Sequence, residues 1–471
     1  MAIPKKNKQL KCIKTGIFER RLSLYSTAIV TGIGFLSDSS INLVRSKENR
    51  KTKQKESLRA RSKSFAGEIG KLKGGVVKVG QIMAVLGENF LPPEVTESLH
   101  SLEDDTLEME WPCIEDVLIT QLGMEKLELL KINPIPIAAA SIGQVHLAKI
   151  KATNETICLK IQYPGVADTI DSDLNTFTQI LRLSRLVSFT KEFKEWLEEI
   201  RAMLKKEVDY DLEFETTNRF GNALKNDNRY VVPSVYEQFS TQRVLAISYE
   251  PGTRIDSNDV LSLSQERRNQ IGKAFIELCW REVFDWGEMQ TDPNFGNYFV
   301  RLGSNIETDK LILLDFGAVR MFPHETLIAG REIVEGAFLR DKTLIKRALI
   351  RLKSITEQTP DSVVDTLSNL AFLAIEPFAN IEKHPPNPAF LTKQGEYRWA
   401  TSDHAARTVL LATKSSITKH FFVPPKDFMF VARKLSGAYT VLSVIRAEIK
   451  GDDLLAPFLP HSDCQRLNKP I

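Results

Sequence analysis

Apolar residues recur at helical spacing from Phe65 to Gly87, in FAGEIGKLKGGVVKVGQIMAVLG, until Pro92-Pro93 interrupts the run. A second helix is predicted near Cys113–Leu122, with Pro112 suited to its first turn. From Ile135 the texture changes. Ile142–Ile150 (IGQVHLAKI) and Thr156–Tyr163 (TICLKIQY) are short β-rich runs joined by KATNE, the pattern of a hairpin. A long charged helical stretch follows, from Asp168 to about Asn226. Tyr230–Tyr236 and Arg243–Tyr249 then read as strands before the turn Pro251-Gly252. Helix dominates again over Ser264–Trp286. It is interrupted by QTDPNFGN, a strand pair at Asn297–Arg301 and Lys310–Leu314, and DFGAVR, and it resumes to about Ala456. No internal repeat is visible. The pattern predicts an α+β chain with a small β-rich lobe followed by a larger helical one. The expected divisions are a leader at 1–64, a helical extension at 65–130, lobes at 131–250 and 251–456, and a tail at 457–471.

Composition narrows the class. Over 471 residues, 42% hydrophobic and 26% charged side chains exclude wholesale disorder, a collagen-like repeat and a polytopic membrane protein. Charge is uneven: residues 1–64 carry 16 Lys+Arg against 4 Asp+Glu, leaving 47 against 56 for the remainder. A basic arm on a mildly acidic body suits a polyanionic surface, although a solvated leader has the same composition. Within it, Leu22–Ser37 is uncharged but rich in Ser, Thr and Gly, and is shorter than the ~20 apolar residues a spanning helix needs. Basic flanks around a weakly apolar run fit interfacial attachment at the cytoplasmic face of a membrane, with a cytoplasmic location as the alternative. The basic residues have no interleaved aromatics, so nucleic acid is not an expected partner. Five scattered cysteines without C-x-x-C spacing predict no disulfide framework or zinc site.

The chemistry concentrates in two places. Asp315-Phe316-Gly317 follows the apolar run Leu311–Leu314, which delivers a carboxylate at a strand end. Asn297 lies upstream, with Asp292 five residues before it. D-x-x-x-x-N followed by D-F-G is the set phosphoryl transfer needs: one carboxylate to orient a nucleophile, an amide and a second carboxylate to hold Mg²⁺. A strand lysine for nucleotide phosphates is available as Lys160 in ICLKIQY, after the small-residue stretch Ala138, Ala139, Ala140 and Ser141. Its helix partner could be Glu207, Glu213 or Glu215 of EVDYDLEFE.

Together with Lys78-Val79-Gly80-Gln81, AAAS, the E-x-D of Glu207 and Asp209, QTDPNFGN and DFGA, the chain resembles the UbiB-like atypical kinase family. These are the aarF-domain, ubiquinone-biosynthesis kinase-like proteins, in the branch carrying K-x-G-Q and TDPN. The resemblance runs from about residue 65 to 440. It implies a two-lobed protein-kinase-like fold with a helical extension packed over the active site. It implies that Lys160 pairs with Glu213 and contacts nucleotide phosphates, that Asn297 and Asp315 ligate Mg²⁺, and that Asp292 holds the catalytic-aspartate position. The alanine loop at 138–141 would tune nucleotide handling, Ser248, Tyr249 and Glu250 would form the hinge meeting adenine, and Lys78 and Gln81 would gate the site against Glu207 and Asp209. The implied cofactors are ATP or ADP and Mg²⁺. The implied partners are a membrane or prenyl lipid and biosynthetic-complex proteins.

Ordinary protein kinases differ here. Gln290-Thr291 replaces His-Arg before Asp292, Pro293-Asn294 follows it where a lysine is usual, and no A-P-E motif appears downstream. These losses argue against routine protein phosphorylation and for ATP hydrolysis or a small or lipid substrate, and the resemblance implies an ATPase supporting ubiquinone or prenyl-lipid biosynthesis. The alternatives are a true kinase of a small or lipid hydroxyl, and a non-catalytic nucleotide-gated scaffold.

Overall fold

In the computed structural model, the residues described are 59–60, 62–63, 66–67, 79–80, 83, 91 and 93–459, the last without 101–107, 141, 185–186, 188, 405, 409–410 and 412–425. Most of the leader, including its weakly apolar run, and Lys78, Gln81 and Ser141 lie outside the described residues. The chain divides into two compact units, one running to Glu215 and including Val235–Tyr249, the other made of Thr216–Ser234 and everything from Glu250. Among the described residues no helix is long and apolar enough to cross a membrane.

The first unit begins with helices α1 (Pro93–His100) and α2 (Trp111–Glu128), the latter kinked at Gly123, where φ is 75°. Strands β1 (Leu130–Ala139), β2 (Gly143–Ile150) and β3 (Thr156–Gln162) follow, then α3 (Val166–Ser184), α4 (Lys191–Glu207) and α5 (Tyr210–Leu224), which belongs to the second unit from Thr216 on. The chain leaves to form β4 (Tyr230–Val231) in the second unit and returns for β5 (Val244–Ser248). The sheet is antiparallel in the order β1-β2-β3-β5. Period-two alternation sends Ile157, Leu159 and Ile161 of β3 into a core shared with Ile114 and Leu118 of α2. A separate helical core joins Val79, Met83, Val95 and Leu99 to Phe177 of α3 and Ile200 of α4.

The hairpin is found where expected, but β1 is a strand the pattern missed. Pro134 and Pro136 argue against a ladder, yet β1 is an edge strand and its register slips at Pro136 and Ala138, where prolines are tolerated. Ala138 and Ala139 are consequently strand residues rather than loop, and Ala140 N–H donates to Gly143 O at 2.8 Å to close the turn. The predicted strand Tyr230–Tyr236 shrinks to two residues because Pro233 breaks it. Cys113 takes part in a disulfide, against expectation, while Cys158 and Cys279 are buried thiols.

A buried histidine braces this hairpin. His146 Nδ1 pairs with Asn133 O at 2.8 Å and Nε2 with Gln144 Nε2 at 2.8 Å, while Gln144 Oε1 accepts from Met109 N at 2.9 Å. The amide of Gln144 donates, so the ring is neutral with its proton on Nδ1. Burial lowers the pKa of His146, against the carbonyl of Asn133 and the charge of Glu108. Its stabilisation is thus present above the unfolded value near 6.5 and is lost as pH falls through the depressed folded value. Denaturant melts from pH 7.5 to 5 should show stability falling with acid, and His146→Leu should flatten that slope while costing ~1–3 kcal/mol at pH 7.5 for the polar groups it orphans. An unchanged slope would remove His146 from the account.

The second unit is built on α6 (Gln265–Trp280), whose N-cap Ser264 accepts from Arg267 N. It continues as a π-helical turn over Arg281–Trp286 that Gly287 closes at φ 69°. Two β pieces follow from the chain: the sheet β4-β9-β8-β6, with β6 (Thr253–Arg254), β8 (Tyr298–Arg301) and β9 (Lys310–Leu313), and a ribbon of β7 (Glu288–Gln290) with β10 (Val319–Met321). Helices α7 (His324–Leu339), α8 (Lys342–Arg351), α9 (Asp361–Ile375) and α10 (Lys426–Val444) complete it, with a small pair β11 (Tyr397–Arg398) and β12 (Glu448–Ile449) inside a region predicted to be all helix. Their apolar side chains line a partly open pocket of about 360 Å³.

Candidate active site

Lys160 sits on the sheet face opposite Leu159 and Ile161, in register with Val145 of β2, which pairs in turn with Ala138 of β1. Its Nζ meets both carboxylate oxygens of Glu213, at 2.7 and 2.8 Å, and lies 5.2 Å from the Tyr210 ring centre. Glu213 is on the first turn of α5, and its side chain is 3% exposed against 21% for Lys160. Of three glutamates left open by spacing, this one faces the strand. A charge pair with a buried carboxylate fixes the position of the lysine ammonium. Gly143 is obligatory beside it, since a Cβ there would lie 2.5 Å from Ile161 O.

Glu207 ends α4, and Asp209 caps α5 by accepting from Leu212 N at 3.0 Å. Ser248 ends β5 opposite Ile157, and Tyr249 N–H donates to Thr156 O at 3.1 Å. Glu250 opens the second unit, where it is paired with Arg301.

In the second unit, two ties fasten the acidic loops together. Thr291 N and Oγ1 both donate to Ala318 O, at 3.1 and 2.8 Å, and Leu314 N donates to Asn297 O at 3.0 Å. Between them stand Asp292 and Asn297 on one loop and Asp315 on the other, at the end of the β8–β9 hairpin. Asn297 Nδ2 donates to Asp292 Oδ2 at 3.0 Å, which turns its Oδ1 to other ligands. Asp315 Oδ1 accepts from Gly317 N at 2.9 Å. One amide oxygen and one carboxylate are the few hard oxygen donors that Mg²⁺ takes from protein when phosphates and water supply the rest. No cluster of three or more His, Cys, Asp or Glu able to hold a metal occurs among the described residues.

Sequence reasoning did not anticipate what lies beneath. Helix α10 approaches so closely that a Cβ on Gly437 would lie 2.1 Å from Pro293 Cβ. From the same helix, Arg433 reaches Asp292 Oδ1 at 3.4 Å. Lys434, 1% exposed, donates to Tyr298 OH at 2.8 Å and stands 3.5 Å from Glu282 Oε2. Tyr298 OH in turn donates to Gln290 Oε1 at 3.2 Å, the atom that receives Asp292 N–H at 2.9 Å. Burial pushes the Glu282 carboxyl up to about 7, with Lys434 pulling against it. No local signal singles out Lys434, which follows Arg433 in α10, because its partners lie more than 130 residues away.

An antiparallel sheet bearing a strand lysine in one unit, and D-x-x-x-x-N with D-F-G loops on a helical unit, define a kinase-like α+β protein. Residues 101–349 match the ABC1 atypical kinase-like domain. The chain is 30% identical over 390 residues to the atypical kinase COQ8 of Saccharomyces cerevisiae, covering 82% of this chain and 73% of that protein. It is 30% identical over 389 residues to the atypical kinase COQ8B of Danio rerio, described as mitochondrial, covering 82% of this chain but only 59% of the zebrafish protein. The structure of Rv3197 from Mycobacterium tuberculosis in complex with erythromycin matches with a TM-score of 0.56 at 22% identity, over 88% of this chain and 99% of that one, a likeness of fold. The chain belongs to the ABC1/UbiB family of atypical kinase-like proteins, COQ8 among its relatives.

Proposed function

We propose that the protein is an ATPase of the atypical kinase type, binding Mg–nucleotide and supporting ubiquinone or prenyl-lipid biosynthesis at a membrane surface. The observation that carries this reading is the ion pair between Lys160 and the buried carboxylate of Glu213, held at 2.7 and 2.8 Å. In this reading Lys160 neutralises nucleotide phosphate and Glu213 fixes its position. Mg²⁺, when bound, offsets the negative charge that develops on the phosphates. Asn297 Oδ1 and the Asp315 carboxylate would hold that ion, and Asp292, oriented by Asn297 and Gln290, would accept a proton from the attacking water. Ala138–Ala140 would border the phosphates at a greater distance than glycines allow, and Ser248–Glu250 would meet the base. Lys78 and Gln81, with Glu207 and Asp209, would gate entry. The basic leader would add ~1 kcal/mol per Lys or Arg near an anionic leaflet.

The test is fluorescent ATP-analogue binding by the full chain, with Mg²⁺ or with EDTA. Removing one metal ligand by Asn297→Ala should weaken Mg–nucleotide binding about tenfold and leave metal-free binding unchanged, a tenfold change being ~1.4 kcal/mol. Equal affinity with and without Mg²⁺ in the unaltered protein would refute the assigned metal site, and no binding at all would refute the nucleotide reading. Release of phosphate that rises with vesicles of anionic lipid would tie turnover to the membrane.

A further inference from the structure

A partly open apolar cavity of the helical unit lies between the π-helical turn after α6 and helices α7, α9 and α10. Phe284, Leu327, Leu370 and Leu435 are among its walls, and no lining residue carries a formal charge among those described. Its polar residues are mostly committed. Tyr439 OH donates to Ala374 O at 2.8 Å, Thr408 OH to His404 O at 2.9 Å, and His404 Nε2 pairs with Leu373 O at 2.7 Å. His404 Nδ1 has no partner and no accessible surface, so it offers nothing to a ligand in the cavity. Thr326 and Ser436 add only neutral hydroxyls.

A charged guest would give up part of its hydration here and meet no counter-charge among the described lining residues. A hydrocarbon would lose nothing of that kind and would restore the contacts the walls lack. Scale agrees. An engineered apolar cavity of ~150 Å³ accepts benzene, and this one measures about 360 Å³. The space also begins directly at a helix backbone, because a Cβ added to Gly330 of α7 meets nothing within 4 Å. We propose that the cavity is a binding site for an uncharged small molecule with a largely hydrocarbon body. This site is distinct from the nucleotide residues and does not depend on their assignment.

The experiment is titration of the full chain with N-phenyl-1-naphthylamine, an uncharged apolar fluorophore, in the absence of nucleotide. One saturable site is expected. Gly330→Leu should fill the cavity from α7, weaken the probe at least tenfold and leave the melting temperature unchanged or higher. Ala371→Leu, from the α9 wall, should do the same, and if one variant fails to fold the other decides. The proposal is overturned if the unaltered protein shows no saturable binding, or if a folded variant binds the probe as well as the unaltered protein does. It is equally overturned if both substitutions lower the ligand-free melting temperature by several degrees, since the space would then already be filled by protein. Because nucleotide is omitted, any of these failures leaves the ATPase reading standing.

Discussion

Asp315→Asn is expected to cut Mg-dependent ATP turnover by on the order of 100-fold or more, the scale seen when one preorganised electrostatic group is removed from a reacting phosphate or acyl centre. The substitution is nearly isosteric. An asparagine oxygen can still accept from Gly317 N, which now binds Asp315 Oδ1 at 2.9 Å, so the loop should keep its shape. What disappears is the negative charge that would hold Mg²⁺ beside Asn297. Phosphate release should therefore collapse while the melting temperature stays within a degree or two. Turnover within tenfold of the unaltered protein would show that Asp315 is not the metal carboxylate. Asp292→Asn separates the remaining readings: loss of hydrolysis with retained Mg–nucleotide binding places the defect in proton transfer rather than in binding.

The second large effect concerns stability. Lys434→Met leaves Glu282 buried without its counter-charge and should cost ~3–5 kcal/mol, the usual penalty for breaking a buried ion pair from one side. The loss should grow with pH. Glu282 is already raised to about 7 by burial, above its ordinary value of 4.5. A group raised on folding contributes stability below its unfolded value that is lost as pH rises through the folded one. Removing Lys434 removes the pull that opposes this rise, so the variant should be nearer to the unaltered protein at pH 5 than at pH 8.5. Adding Glu282→Leu to Lys434→Met should recover much of the loss. Guanidinium titrations at both pH values measure this, and a deficit below about 1 kcal/mol at pH 8.5 would show that the pair is not a structural ion pair.

The motifs were legible where chemistry demands fixed residue types at short spacing. Lys160 alternates with a buried run on β3, and Asp292, Asn297 and Asp315 sit on loops flanking one hairpin, so local pattern sufficed to single them out. The choice of Glu213 over Glu207 and Glu215 came from resemblance, because helical periodicity alone does not tell which carboxylate a distant strand will meet. β1 was hidden by its two prolines, which an edge strand with slipped register can carry. The ribbon β7–β10 was hidden by its length, three residues in each strand. The support from α10 was out of reach for a different reason: Gly437, Lys434 and Arg433 are ordinary helix residues until the fold brings them under Pro293 and Gln290.

That helix bears on how the protein can be dissected. The family match ends at residue 349, whereas the loop carrying Asp292 rests on the side chains of Arg433 and Lys434 and on the close-packed backbone at Gly437. A fragment ending at residue 349 would retain Lys160, Glu213, Asp292, Asn297 and Asp315 yet expose Pro293 and strip Tyr298 of its lysine. The smallest autonomous piece of this protein is therefore longer than its signature, and a truncation that fails would report a missing floor rather than a missing motif.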